Sequence, residues 1–353
     1  MAMDRRAFGL GAVTWPVLCR GGGAAELMDR DDLPARAWSA WKAAFLTPDG
    51  RVVDHLQQDA SHSEGQGYGL VLAASLGDAS AFDAIRDWTD RHLRERNDHL
   101  LNWRRRPGDS RAEAMNATDG DIFVAWGLSL GATRFGRTSA EHQARLMAGD
   151  IAGSCLRADP RGTGRTVVLP SSTGFEQGGR TIVNPSYIMP RALRDLGFLV
   201  RDQRLAQAAQ DGAALLAELA AGSPVPDWAE IDATGVRPSA GHRPVFGYEA
   251  LRVALYLIWS GEAGHPAVQR ARAVYARNPG ARVPVVVAVD GGAVLEGSDL
   301  PGYLALRNLV MGQDRPPVPL DVAQGYYPAT LEMLCLLVAC ETSAALGYLR
   351  RSD

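Results

Sequence analysis

Apolar residues recur at three- and four-residue intervals along most of this chain, and that spacing predicts amphipathic helices rather than strands. The first is read from "DDLPARAWSAWKAAFL", where Trp38, Trp41 and Phe45 share a face, Pro34 suits a first turn and Asp32 stands where a cap would. "GQGYGLVLAASLG" predicts a second helix stopped by Gly77, and "SAFDAIRDWTDRHLRER" a third with Phe82, Ile85, Trp88, His92 and Leu93 along one stripe. A fourth opens at "ATDGDIFVAWGLSLGATRFG", where Thr118 and Asp121 have the spacing of a capping box with Asp replacing the usual Glu. The period continues through "AEHQARLMAGDIAGSCLR", "MPRALRDLGFLV", "QRLAQAAQDGAALLAELA", "YEALRVALYLIWSG", "HPAVQRARAVYAR", "PGYLALRNLV" and "ATLEMLCLLVACETSAALGYL", making eleven helical segments. Loops rich in Gly and Pro separate them.

Strand-like runs are few, with "RTVVLP" and "RVPVVVAV" the best of them. Neither a linker nor a shift in composition divides the segments, and no fixed repeat period links them. The pattern therefore predicts a single all-α domain of helix hairpins, with a closed ring favoured over an open repeat array.

The chain has 353 residues, 46% of them hydrophobic, which is enough to bury a full core. Its 37 Lys and Arg against 40 Asp and Glu leave a net charge of -3, with no broad basic surface to neutralise phosphates. Nucleic acid is thus an unsuitable partner, and an uncharged ligand fits better. The cysteines Cys19, Cys155, Cys335 and Cys340 form no C-x-x-C pair and have no His at metal-ligand spacing, so neither zinc nor a disulfide framework is expected. No cofactor motif is present.

The amino terminus reads as an address. "MDRRAFGLGAVTWPVLCRGGGAA" pairs Arg5 and Arg6 with a short apolar stretch from Phe8 to Leu18 and small residues through Ala25. That is the form of a twin-arginine export signal. The stretch is shorter than the about 20 residues that span a bilayer. The expected organisation is an export signal over residues 1–25 and one domain over 26–353, periplasmic or secreted, with no stable membrane insertion.

Polar and aromatic residues crowd several loop–helix junctions: "HSEGQGYG" at 62–69, "LLNW" at 100–103, "NATDGD" at 116–121, "VNPSY" at 183–187, "VPDW" at 225–228 and "FGYEALR" at 246–252. Each has an ordinary structural explanation. Glu64 can be a first-turn acid facing a helix dipole, Asp119 and Asp121 caps, Trp103 and Trp228 core, Asn184 with Pro185 a turn, and Glu249 with Arg252 a surface (i, i+3) pair. Together they offer what a carbohydrate site needs: a protonated carboxyl for the leaving oxygen, an ionised one to activate water, and flat rings for sugars. No G-x-S-x-G elbow accompanies the loop histidines His62, His242 and His265.

With these motifs in view, "SEGQGYGLVLAASLGDASAFDAIRDW", "ATDGDIFVAWGL", "NPSY", "PDW" and "YEALRV" occur in the order seen in glycoside hydrolase family 8. The chain resembles most the endoglucanases of bacterial cellulose synthesis operons, from Trp38 to at least Trp259. The resemblance implies an (α/α)6 barrel of six inner and six outer helices, an open cleft for a β-1,4-glucan, and inversion in a single displacement. It also implies Glu64 as general acid and Asp119 as the carboxylate holding the sugar at the cleavage point. Tyr68, Trp103, Asp121, Tyr187, Trp228 and Arg252 are expected to line the cleft.

Where the family carries Asp in Y-D-A-x-R as base, this chain has Glu249; Asp119 or another loop acid remains an alternative base. The expected activity is an endo-β-1,4-glucanase in cellulose biosynthesis, with the cellulose synthase machinery as a candidate partner. The alternatives are a family 8 xylanase or chitosanase, a glucan-binding protein that has lost catalysis, and a structural toroid in polysaccharide secretion.

Overall fold

The computed structural model describes residues 32–313 and 318–350. The expected export signal over 1–25, with Cys19, lies outside them. The helices run in order α1 (Leu33–Phe45), α2 (Ser63–Leu76), α3 (Ala79–His92), α4 (Thr118–Phe135), α5 (Thr138–Ser154), α6 (Pro190–Val200), α7 (Gln203–Leu219), α8 (Leu251–Trp259), α9 (Pro266–Ala276), α10 (Pro301–Met311) and α11 (Tyr326–Arg350). Each corresponds to one of the segments that the apolar period marks.

Burial sorts them into two layers. Most residues of α2 and α4 and all of α8 are buried, the state expected of helices with apolar residues on most sides. In α3, α7 and α9 burial is confined to one stripe. The inner ring passes from α2 to α4, α6, α8, α10 and α11, each packed on the next, and α11 closes onto α2. The helices α1, α3, α5, α7 and α9 lie outside, and α1 covers the seam between α11 and α2.

The architecture is thus the (α/α)6 barrel, with one departure from six outer helices. Among the described residues there are five, and α10 is joined to α11 by chain that includes a short 3-10 turn at Val322–Gln324. Asp32 occupies the N-cap of α1, but its side chain makes no capping bond, contrary to expectation; Pro in the first turn needs no donor partner.

Strands are short and lie in the loops. β1 (Ser61–His62) pairs with β2 (Arg104–Arg105), and β3 (Leu156–Ala158) with β4 (Thr166–Val168). β5 (Glu176–Gln177), β6 (Arg180–Val183), β7 (Ala229–Asp232) and β8 (Gly235–Pro238) form one antiparallel sheet. β9 (Val245–Phe246) pairs with β10 (Val283–Ala288), which also pairs with β11 (Val294–Ser298). The two expected strands are β4 and β10.

The contact between α2 and α4 sets the geometry of the cleft. A Cβ on Gly67 would stand 2.6 Å from Phe123 Cβ and 2.9 Å from the Phe123 carbonyl carbon, and one on Gly120 would stand 2.0 Å from Ser63 Oγ. The two backbones therefore meet at a distance only glycine permits. Asp121 ties the same region to the 100–103 segment: Leu101 N–H donates to its Oδ1 at 2.7 Å and Asn116 Nδ2 to its Oδ2 at 2.8 Å. It is fully buried, so it anchors that segment instead of lining the cleft as expected. Nor does it complete a capping box, because the N-cap of α4 is Ala117 and makes no side-chain bond.

Gly67→Ala should cost about 1–3 kcal/mol through forced separation of α2 and α4, read as a lower thermal midpoint; an unchanged midpoint would mean that the contact is slack. A second expectation concerns pH. Burial pushes the Asp121 carboxyl up to about 7, against the pull of Leu101 N–H and Asn116. An unfolded Asp titrates near ~3.9, so the native state holds this proton more tightly. The associated stability is fully present below about pH 4 and is lost as pH rises through about 7. The denaturation midpoint of the wild type relative to Asp121→Asn should therefore fall between those limits, whereas a constant difference would show Asp121 ionised throughout.

Candidate active site

Helix starts of the inner ring supply the site. Glu64 is the second residue of α2 and Asp119 the second of α4, each beside first-turn N–H groups and the positive end of a helix dipole. Tyr303 enters at the start of α10, and Tyr326 and Tyr327 open α11. α6 begins deeper, and the 3-10 turn Pro185–Tyr187 fills its place at the cleft.

Glu249 stands just before α8. That helix begins at Leu251 and not at Tyr248 as the period suggests, because Gly247 N–H and Ala250 N–H are taken by the Asp227 carboxylate, each at 2.8 Å. The residues between them form a turn, and Arg252 N–H donates to Glu249 O at 3.1 Å.

At the centre lies the guanidinium of Arg252. It is buried, a hub among acids, and not the surface (i, i+3) partner of Glu249 that would be its ordinary structural explanation. Nη1 stands 3.3 Å from Glu64 Oε1, and Nη2 contacts Glu249 Oε2 and stands 3.9 Å from Asp119 Oδ2. Nη2 also donates to Ser186 Oγ at 2.9 Å. One cation thus serves three carboxylates, a charge that burial alone would forbid and that their fields hold in place.

Each acid has a distinct setting. Glu64 Oε1 accepts from Tyr68 Oη at 2.8 Å, and behind it Tyr68 Oη meets Tyr256 Oη in a short contact. Both tyrosines are buried, and desolvation drives their hydroxyls well above the usual range, which keeps them neutral donors. Glu249 Oε2 accepts from Asn184 Nδ2 and Ser186 Oγ, both at 3.2 Å, in addition to Arg252. On both glutamates, therefore, one oxygen is held by donors, while the other has no hydrogen bond among the described residues. Their side chains are 24% and 33% exposed against 6% for Asp119, so a ligand in the cleft reaches the two glutamates more readily. Burial, then the Glu64 charge, raises the Asp119 carboxyl well above its usual range, despite Gly120 N–H and Arg252.

The expected aromatics gather at the same end. Tyr187 lies close enough to Asp119, Glu249 and Glu64 that their charges reinforce the effect of its burial. Trp228 is flanked by Tyr187 at 6.4 Å and stacks on His242 at 4.5 Å, with Phe175 nearly parallel at 5.9 Å. Trp103 stacks on His62, carries the Arg104 guanidinium over its ring at 4.1 Å, and donates from its indole to Glu113 at 3.0 Å. Its carbonyl accepts from Ser63 N–H at 2.8 Å, which places it beside Glu64. Both tryptophans have part of a ring face occupied by protein.

Several residues of the site escape the sequence reading: Asp227, Ser186, Tyr256, and the trio Tyr248, Tyr303 and Tyr327, whose rings lie 6.2–6.4 Å apart. Asp227 lies within the "PDW" junction, and Tyr303 and Tyr327 sit at junctions of the kind that mark the other sites. Among the described residues no cluster of His, Cys, Asp and Glu is placed to hold a metal ion.

Known proteins bear on this geometry. The chain is 34% identical over 322 residues to a probable endoglucanase of Novacetimonas hansenii, covering 88% of this chain and 92% of that one. It is 31% identical over 284 residues to an endoglucanase of Cellulomonas uda, covering 78% and 77% respectively. Its fold matches the structure of endo-β-1,4-glucanase CMCax from Acetobacter xylinum with a TM-score of 0.80 and 31% identity, over 88% of this chain and 99% of that one. Residues 23–341 match the family described as "Glycosyl hydrolases family 8", and the chain belongs to that family.

Proposed function

We propose that this glycoside hydrolase is an endo-β-1,4-glucanase that cleaves cellulose-type chains with inversion. The observation that carries the reading is the paired anchoring of Glu64 and Glu249 by one guanidinium, each through one oxygen only. Contacts to a single guanidinium limit how far apart the two carboxyls can be, and that limit is compatible with the roughly 6.5–9.5 Å that admits water between acid and base.

In the proposed reaction Glu64 carries a proton on Oε2, because Oε1 already accepts from Tyr68 and faces Arg252. Water enters beside Glu249 Oε1, the oxygen left by Asn184, Ser186 and Arg252. Glu249 takes a proton as the water oxygen bonds to the anomeric carbon. The bond to the leaving oxygen breaks, and the Glu64 proton passes to it. The new reducing end has inverted configuration, and exchange with solvent removes the proton from Glu249 and returns one to Glu64. Asp119 accepts from a sugar hydroxyl at the cleavage point, and Tyr187, Trp103 and Trp228 border the sugar path. No metal or cofactor takes part in these steps.

The names of the relatives favour cellulose over xylan or chitosan. The proposed setting is cellulose synthesis, with the synthase machinery as partner, and the resemblance to the endoglucanases of cellulose synthesis operons is what supports it. Among the described residues no helix is long and apolar enough to cross a membrane. The twin-arginine-like start supports export of one catalytic domain over residues 26–353.

Reducing-sugar release should be high on carboxymethylcellulose and low on xylan and chitosan, and the reverse order would move the substrate class. Glu64→Gln should keep the fold and lose at least about 10²-fold in kcat, the scale of a general acid; near wild-type hydrolysis would exclude Glu64. Glu249→Ala should be inactive in buffer and regain turnover in azide, yielding a glycosyl azide of inverted configuration by NMR. Full activity without azide would place the base elsewhere.

A further inference from the structure

Asp227 touches neither of the glutamates in the proposed reaction, yet the turn carrying Glu249 is built on it. A single oxygen, Oδ1, accepts from Gly247 N–H and from Ala250 N–H, both at 2.8 Å. Those donors bracket Glu249, two residues before it and one after. A Cβ on Gly247 would lie 2.6 Å from Asp227 Oδ2, so the turn is seated directly against the carboxylate. On its other side, Tyr327 Oη donates to the carbonyl of Tyr248.

Asp227 is itself fixed to sheet structure. Its N–H donates to Val245 O at 2.8 Å, and the carbonyl of the adjacent Trp228 accepts from Ser239 N–H at 3.0 Å. The segment that presents Trp228 just before β7 and the turn that presents Glu249 are therefore joined through one side chain. Burial pushes this carboxyl up to about 6, against the pull of the two N–H groups. At neutral pH it is largely ionised, and the two bonds are charge-assisted.

We infer that Asp227 is a positioning residue for Glu249, holding the turn so that Glu249 Oε1 meets water while Oε2 stays on Arg252, Asn184 and Ser186. The inference rests on Glu249 being the base. Other bonds keep the fold of this region when Asp227 is changed: β7 pairs with β6 and β8, and β9 with β10. What Asp227 alone supplies is the seat of the turn.

The test uses the full chain with Asp227→Asn, Asp227→Ala, Glu249→Ala and the double variant Asp227→Ala/Glu249→Ala, assayed on carboxymethylcellulose with and without azide. Asn keeps a carbonyl oxygen for both N–H groups, so D227N should retain most of kcat. D227A should lose about 10- to 100-fold in kcat, the scale of an ångström of misplacement, with KM changed less than about twofold. In azide, the double variant should turn over as fast as Glu249→Ala, because a residue acting through Glu249 has nothing left to position.

A further fall in the azide-rescued background would show a general structural role and overturn the inference, as would D227N falling as far as D227A. A full-rate D227A beside an azide-rescued Glu249→Ala overturns this inference alone. Failure of azide to rescue Glu249→Ala overturns the assignment of the base and this inference with it.

Discussion

The cleft depends on one buried cation. Arg252 lies within the ring with its guanidinium shared among Glu64, Asp119 and Glu249, and with Ser186 as a neutral acceptor. Moving a guanidinium out of water costs several kcal/mol unless opposite charges stand close by. Three carboxylates around one cation overcompensate, and the excess negative charge bears most on the acid that is least solvated. Asp119, the most enclosed of the three, is where burial and the neighbouring Glu64 charge favour keeping a proton. The same three acids that let Arg252 stay buried therefore differ in setting, Asp119 enclosed and the two glutamates partly open.

Bringing those acids to one guanidinium requires the backbones beneath them to be close. α2 and α4 run side by side with their amino termini at the same end, and Gly67 and Gly120 remove the side chains that would separate them. Glu64 and Asp119 each occupy the second helical position, so the approach of the helices is also the approach of the acids. Asp121, two residues along, draws in the 100–103 segment and with it Trp103. The apolar, nearly featureless character of α2 and α4 is thus a condition of the chemistry at their tips.

Much of this was legible in the sequence, and what was not has physical reasons. Helical period alone marked every described helix, because inner and outer helices both bury apolar faces. It could not sort them into layers, since layer is a matter of which neighbours arrive. Glu64, Asp119 and Glu249 stood out by their junctions, and the structure brings all three to Arg252. Asp121 was misplaced because two acids two residues apart on a helix point to different sides, and sequence spacing alone does not say which side is the cleft. Arg252 was expected among the site residues, but its place as a buried hub was not legible, because α2, α4 and the 184–187 turn that enclose it are all distant in the chain. Tyr256 acts behind Tyr68 and leaves no local pattern, and Asp227 lay within a marked junction whose tryptophan drew the reading instead.

The replacement of Asp by Glu at position 249 has a consequence that follows from the same contacts. An added methylene lengthens reach and adds a rotatable bond, and freezing a glutamate costs on the order of 1.5–2 kcal/mol of side-chain entropy. Left free, such a carboxylate would be a poor base, because its oxygen would visit many positions around the water. Here Asn184, Ser186 and Arg252 converge on Oε2, two of them rooted in the turn before α6 and one in α8. These contacts on one atom oppose the freedom that the methylene adds. The backbone can then sit further from the cleft, on a turn outside the helix, and the position of that turn becomes the quantity that the surrounding structure must control.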